Sequence, residues 1–282
     1  MSNRRKPQAK ASRDLRGLVL EYLETLRIPL SADDLDATLA QAEKERSSAL
    51  EFLAHLLGPL ADLRRQRTIE RRIRDAHFRE PVSLEGFDWE FNAQAIDRRQ
   101  IETLATAEFI RRGDNLVIAG QSGVGKSRIV QSVGRAACVH GYRVRYITSA
   151  DLLLDLIASL ADHTLPQRLR YYTNFDLLII DEFGFEKIER AESGQAASLL
   201  YKVIDSRCPK RSTAMVTNIS FEAWADYLGD APLAMAMLDR LVDRAIRLKI
   251  EGRSYRAHRA QQPVPTAAAE VSKSKQPRKA KG

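Results

Sequence analysis

The chain has 282 residues, 44% of them hydrophobic and 29% charged, with a formal net charge of +8. That length suits two domains and that apolar content suits packed cores, while neither end carries a stretch apolar enough for a secretory signal or a membrane span, so a cytoplasmic protein with no membrane partner is expected. The two cysteines, Cys138 and Cys208, lie far apart without metal-ligand spacing, which leaves no disulfide framework and no zinc site.

The excess charge is in the tails. Residues 1–16 hold six Lys/Arg against Asp14, and residues 258–282 hold six against Glu270. Segments 1–14 and 258–282 are read as disordered basic tails, either solvated ends or a source of salt-sensitive affinity for nucleic acid.

Residues 15–80 read as a small all-α domain. Leu18, Leu20, Tyr22, Leu23 and Leu26 supply one apolar face. Ser31 suits an N-cap for a helix through Ala42, and Glu43 to Leu57 repeats the helical spacing until Gly58-Pro59 interrupts it. A third helix is expected from Leu60 toward His77, carrying Arg64, Arg65, Arg67, Arg71, Arg72 and Arg74. Those arginines are either a solvated face paired in part with Asp62, Glu70 and Asp75, or a phosphate-contacting surface for DNA. Residues 81–99 read as a linker whose Phe87, Trp89 and Phe91, at alternating spacing, dock onto the following domain.

From residue 100 to 257 the pattern alternates strand and helix, which predicts a parallel sheet covered on both faces. The strands are expected at Asn115 to Ala119, Tyr142 to Thr148, Phe175 to Asp181, Thr213 to Thr217 and Ala245 to Ile250. Arg143 and Arg145 alternate with apolar residues, which suits an edge strand, whereas Leu177 to Ile180 is apolar throughout and suits the centre. Leu152 to Leu160 reads as an amphipathic crossover helix behind an N-cap at Ser149.

The first of these strands runs into Gly120-Gln121-Ser122-Gly123-Val124-Gly125-Lys126-Ser127, with Arg128 opening a helical pattern to His140. A loop that wraps a triphosphate needs inward backbone N–H groups and φ/ψ values that glycine adopts freely. Lys126 is placed to reach the β- and γ-phosphates and Ser127 to offer its hydroxyl to Mg²⁺. The third strand ends in Asp181-Glu182, where Asp181 suits the Mg²⁺ shell and Glu182 the polarising of an attacking water. Asn218, just after the fourth strand, is either a γ-phosphate sensor or common turn chemistry. Arg240 either pairs with a neighbouring carboxylate or reaches the nucleotide of an adjacent protomer as an arginine finger, with Arg244 as the fallback. Arg253 to Arg256 adds a further cation or none.

Taken together, these segments from about Leu18 to Arg256 resemble the IstB-like family of AAA+ ATPases, the helper proteins encoded beside insertion-sequence transposases. The resemblance rests on the Arg-rich helical region, Phe87-Asp88-Trp89, Gly120 to Ser127, Asp176 to Gly184, Thr217-Asn218 with Phe221 to Trp224, Leu238 to Leu241, Glu251-Gly252 and Ser254-Tyr255-Arg256. It implies an α/β P-loop AAA+ domain with a five-stranded parallel sheet and no helical lid, preceded by the all-α domain. It also implies ATP and Mg²⁺ as ligands, assembly of a ring or spiral homo-oligomer on duplex DNA, and recruitment or stimulation of a cognate DDE transposase. By position, Lys126 and Ser127 take phosphate and Mg²⁺, Asp181 and Glu182 are the Walker B pair, Asn218 is sensor 1 and Arg240 the finger. Gln121-Ser122 stands where the family often has prolines, and the tail after Arg256 has no family counterpart. The rival readings are a DnaC-like helicase loader, preferring single strands, and a nucleotide-gated DNA binder without hydrolysis, against which Glu182 argues.

Overall fold

The computed structural model describes residues 14–185 and 195–261. The expected tails therefore lie outside the described residues, apart from Asp14 and residues 258–261. The chain divides into two units, Met1–Glu70 and Arg71–Gly282.

In the first unit, α1 (Leu15–Thr25) is capped by Asp14 and α2 (Ala32–Glu45) by Ser31, whose side chain accepts from the Asp34 amide. Arg16 and Asp36 form a two-point ion pair that ties α1 to α2. The α1 stripe is narrower than its sequence suggests: Leu23 is buried, Leu18 and Leu20 are half-buried, and Tyr22 and Leu26 are exposed.

The expected break at Gly58-Pro59 does not occur. A single helix, α3, runs Ala49–Asp75 with Pro59 inside it. Its start is fixed instead by a capping box, in which the Ser48 amide donates to Glu51 Oε2 at 2.7 Å and the Glu51 amide to Ser48 Oγ at 3.3 Å. Arg46, left-handed at φ 54°, ends α2 just before it. A proline normally pushes the preceding residue out of the α region by a clash with its Cβ, and Gly58 has none; the lost N–H remains, but one missing bond does not stop a helix of 27 residues.

The second unit is built on five parallel strands, β1 (Asn115–Gly120), β2 (Val144–Thr148), β3 (Leu177–Phe183), β4 (Ser212–Thr217) and β5 (Ala245–Ile250), in the order β2-β3-β4-β1-β5. The Arg-bearing β2 is an edge strand, as its alternation predicts, and β3 is an interior strand with β4 at the middle. Successive side chains of β3 serve opposite cores. Leu177 and Ile179 pack with α4 (Arg98–Ala105), α5 (Glu108–Arg112) and α6 (Lys126–Val139). Leu178 and Ile180 pack with α7 (Ser149–Ala161), α8 (Leu165–Thr173), α9 (Gln195–Arg207), α10 (Trp224–Leu228) and α11 (Ala231–Val242). This is why the run is apolar without alternation. The cap of α7 is Thr148, one residue before the expected Ser149, and accepts from the Asp151 amide at 3.1 Å. After β5 the described residues hold one further helix, α12 (Tyr255–Gln261), and no helical lid.

Two features inside this unit serve packing. Arg207 is fully buried and donates to the carbonyls of Tyr172 and Ser212 and to Thr213 Oγ1, and burial, with Arg211 adding, lowers its pKa to about 9. At Gly134 on α6, a Cβ would lie 2.7 Å from Ile179 Cδ1 and 2.9 Å from the Phe78 ring. Gly134→Val is accordingly expected to lower stability by about 1–3 kcal/mol through overpacking, read as a fall in the urea midpoint at unchanged slope.

Candidate nucleotide-binding site

The P-loop connects β1 to α6. Gly123 and Gly125 have φ values of +84° and +100°, conformations that side chains disfavour. At Gly123 the space a Cβ would need is filled by the Ser254 hydroxyl, and the Gly123 carbonyl accepts from the Tyr255 amide at 2.9 Å, so the segment after β5 braces the loop. Gly125 caps α6 without a side-chain bond, leaving the first-turn N–H groups directed at the loop.

Lys126 opens α6 and is 6% exposed. Its Nζ donates to the carbonyls of Gly120 and Gln121, both at 2.7 Å, so the ammonium folds back over its own loop. Burial holds its pKa below the usual lysine value, opposed by the Asp181 charge.

Asp181, at the end of β3, is 1% exposed. One oxygen accepts from the Tyr146 phenol and the other from the Glu182 amide, each at 2.8 Å. Burial, then the Asp181 charge, pushes the Tyr146 pKa up, so the phenol stays a donor. Glu182 sits at φ +62°, left-handed for a non-glycine residue, and its Oε1 accepts from Arg79 Nη1 at 3.0 Å. Strained backbone of this kind clusters at functional sites.

Asn218 follows β4, the strand between β1 and β3, and its Oδ1 is buried without a hydrogen-bond partner among the described residues. Arg240 lies elsewhere. Its carbonyl accepts from Asn115 Nδ2 at the start of β1, and its side chain pairs with Asp205 and Asp239, each at 3.0 Å. The six residues of β1, roughly 20 Å of strand, separate it from the P-loop of its own chain. Arg244 contacts Asp114 at 3.7 Å, at the same end.

A cavity of about 290 Å³ gathers Ser122 to Arg128, Asp181 and Glu182. Among the further residues that line it, and that the sequence reading had not placed there, are Phe87, Phe91, Asn92 and Tyr255. The linker aromatics do dock as expected, with Phe87 and Trp89 packed against the core and their rings 4.7 Å apart. Phe91 packs edge-on to Tyr255, and Asn92 binds the Arg253 backbone through both amide ends at 3.0 Å. Arg128 and Arg256 both line the cavity, with the Arg128 guanidinium bonded to the Gly86 carbonyl and set over the Phe87 ring.

The arginines of α3 are exposed at Arg64, Arg65 and Arg67 in the first unit; in the second, Arg71 and Arg74 are exposed and Arg72 is half-buried. Among the described residues only Arg65 has an ion-pair partner, Asp62 at 3.2 Å, and Glu70 is engaged by Gln66 instead.

The strand order, the P-loop after β1, the acidic pair near the end of β3 and the asparagine just after the strand between them define a P-loop domain of the AAA+ class, with no helical lid among the described residues. The fold is similar to that of the crystal structure of DnaI, at a TM-score of 0.50 and 20% identity, over 64% of this chain and 93% of that one. Residues 22–263 match the model of the IstB-like ATP binding protein family, and the chain belongs to that family. Its relatives include the ATP-binding protein of insertion sequence IS232 from Bacillus thuringiensis subsp. berliner, 34% identical over 83% of this chain and 92% of that one. The ATP-binding protein of IS21 from Pseudomonas aeruginosa is 32% identical over 83% of this chain and 86% of that one.

Proposed function

We propose that this protein is an ATP-hydrolysing helper of transposition, which assembles on duplex DNA as an oligomer and recruits or stimulates a DDE transposase. The observation that carries the reading is the single cavity in which the buried Lys126, the uncapped N-terminus of α6 and the Asp181-Glu182 pair meet. Membership of a family named for ATP binding, with relatives named as insertion-sequence ATP-binding proteins, supports the substrate and the setting.

The residues fit a nucleotide and its cation. Backbone N–H groups of the loop and of α6 suit phosphate oxygens, and Lys126 can exchange its two carbonyl acceptors for β- and γ-phosphate oxygens. Phe87, Phe91 and Tyr255, which line the cavity, offer aromatic faces for the base. Ser127 and Asp181 would hold Mg²⁺, which supplies charge neutralisation on the phosphates when bound. Tyr146 and the Glu182 amide hold the Asp181 carboxylate in place for that role. Glu182 accepts a proton from water as its oxygen attacks the γ-phosphorus, and ADP leaves as the bond to the β-phosphate oxygen breaks. Asn218 orients the γ-phosphate or the water, and Arg240 serves the site of a neighbouring protomer. The unpaired arginines of α3 are the proposed contact to DNA phosphates.

The deciding experiment is co-sedimentation with duplex and single-stranded DNA of equal length, with ATP, ADP or no nucleotide, at fixed salt. Large ATP-dependent assemblies on duplex are the expected result. Preference for single strands would replace this reading with a helicase loader, and binding indifferent to nucleotide would detach the P-loop from DNA engagement.

A further inference from the structure

Between β5 and α12 lie Glu251 to Ser254, which belong to no helix or strand. The far end of this segment holds the phosphate loop, through the Tyr255 amide on the Gly123 carbonyl and the Ser254 hydroxyl packed against Gly123. Its middle is held by one side chain. Asn92 Oδ1 accepts from the Arg253 amide and Asn92 Nδ2 donates to the Arg253 carbonyl, so the side chain satisfies both polar groups of one residue as a neighbouring strand would. Gly252 makes that approach possible, because a Cβ there would lie 2.7 Å from the Asn92 Cγ and Oδ1 and 2.9 Å from its Nδ2. Asn92 is itself fixed: it is buried, and its carbonyl accepts from the amides of Ala95 and Ile96 at 2.9 and 3.0 Å, where Ile96 enters the core. The exposed Arg253 guanidinium, 5.2 Å over the Phe91 ring, is a weaker tie because water screens it.

We infer that Asn92 is a positioning residue for nucleotide binding: by fixing Gly252 and Arg253 it holds Ser254 and Tyr255 against the phosphate loop and keeps Gly123 in its phosphate-ready conformation. The inference rests on the reading of the cavity as a nucleotide site and needs no hydrolysis. Gly123, at φ +84°, has more backbone freedom than any other residue type would have there, so a loop released from its brace samples other conformations and the ligand must order it again on binding. Without the Asn92 amide the Arg253 backbone turns to water, and the next two residues lose the fixed point from which they reach Gly123. Asn92 also lines the cavity, so a direct contact with the base has to be told apart from this route. A ligand made of phosphate alone does so.

The test is titration of the full-length protein with a fluorescent ATP analogue in Mg²⁺, and displacement of that analogue by ATP and by inorganic tripolyphosphate, for wild type, Asn92→Ala, Gly252→Ala and the double variant. Asn92→Ala is expected to weaken ATP by about five- to ten-fold, the weight of one or two net hydrogen bonds, and to weaken tripolyphosphate by the same factor. Gly252 does not have a positive φ, so alanine there tests the contact rather than the backbone. Its Cβ presses on the Asn92 amide and should weaken both ligands with Asn92 in place, which keeps the comparison open if Asn92→Ala does not fold. Removing the amide as well relieves the collision, so the double variant should bind as Asn92→Ala does, a non-additivity that two independent structural lesions would not produce. Wild-type affinity for both ligands in Asn92→Ala overturns the inference. So do a loss confined to ATP, which would make Asn92 a contact to the base, and additive losses in the double variant. A wild type from which tripolyphosphate cannot displace the analogue overturns it too, since a loop without hold on phosphate has nothing to brace. A wild type that does not bind the analogue overturns the nucleotide-site reading itself.

Discussion

Arg240→Ala should reduce ATP turnover by about 10³-fold or more while leaving the nucleotide affinity of the isolated subunit unchanged. Arg240 is on α11, beside the start of β1, and the length of that strand lies between it and Lys126. Among the described residues of its own chain its ion-pair partners are Asp205 and Asp239. It is 44% exposed and held by surface pairs that contribute little to stability, so it can exchange them for a phosphate on a neighbour without harm to the fold. Mixing gives the decisive form of the experiment. Arg240→Ala retains an intact P-loop, and Lys126→Ala retains an intact finger; assembled together, some interfaces pair the good half of each. Recovery of turnover in the mixture is the expected outcome, and no recovery, or wild-type turnover by Arg240→Ala alone, would remove Arg240 from the chemistry.

Glu182→Gln should lower turnover by about 10²- to 10⁴-fold, with ATP still bound. The amide keeps the shape of the side chain and loses the proton acceptor, while Asp181, Lys126 and the loop are untouched. If hydrolysis releases the assembly, this variant accumulates ATP-bound oligomers on duplex DNA, visible in sedimentation as complexes that outlast wild-type ones. Unchanged turnover would assign the base elsewhere. The left-handed backbone at Glu182 gives a useful contrast, since Glu182→Gly relieves the strain and removes the acid together, and should be at least as inactive while no less stable.

The parts of this site that sequence displays are those whose chemistry is local. Gly123, Gly125 and Lys126 form one turn, so their spacing is their geometry, and Leu177 to Asp181 is a buried strand whose apolar run ends where the chain meets the cavity. The arginines at 143 and 145 pointed to an edge strand, and β2 is one, although Arg143 precedes the strand and Arg145 is half-buried within it. Other features depended on residues distant in the chain. Tyr146 reads as one more apolar position of β2, and only the pairing of β2 with β3 brings its phenol to Asp181. Arg79 meets Glu182 across 103 positions, and Phe91 meets Tyr255 from opposite ends of the domain. Two local signals were present and misjudged. Ser48 and Glu51 form a capping box that outweighs a proline preceded by glycine, and Thr148 caps α7 because its hydroxyl, not that of the buried Ser149, faces the Asp151 amide.

The brace between Tyr255 and Gly123 also sets an order of events during synthesis. The phosphate loop is made early, but the residue that donates to its carbonyl is translated roughly 130 residues later, about 7–26 s at ordinary elongation rates. A nascent chain halted before Ser254 has every P-loop residue and lacks the support that holds them. A chain that ends inside β5 is therefore expected to hold nucleotide less tightly than the full chain, although it carries every residue of the loop.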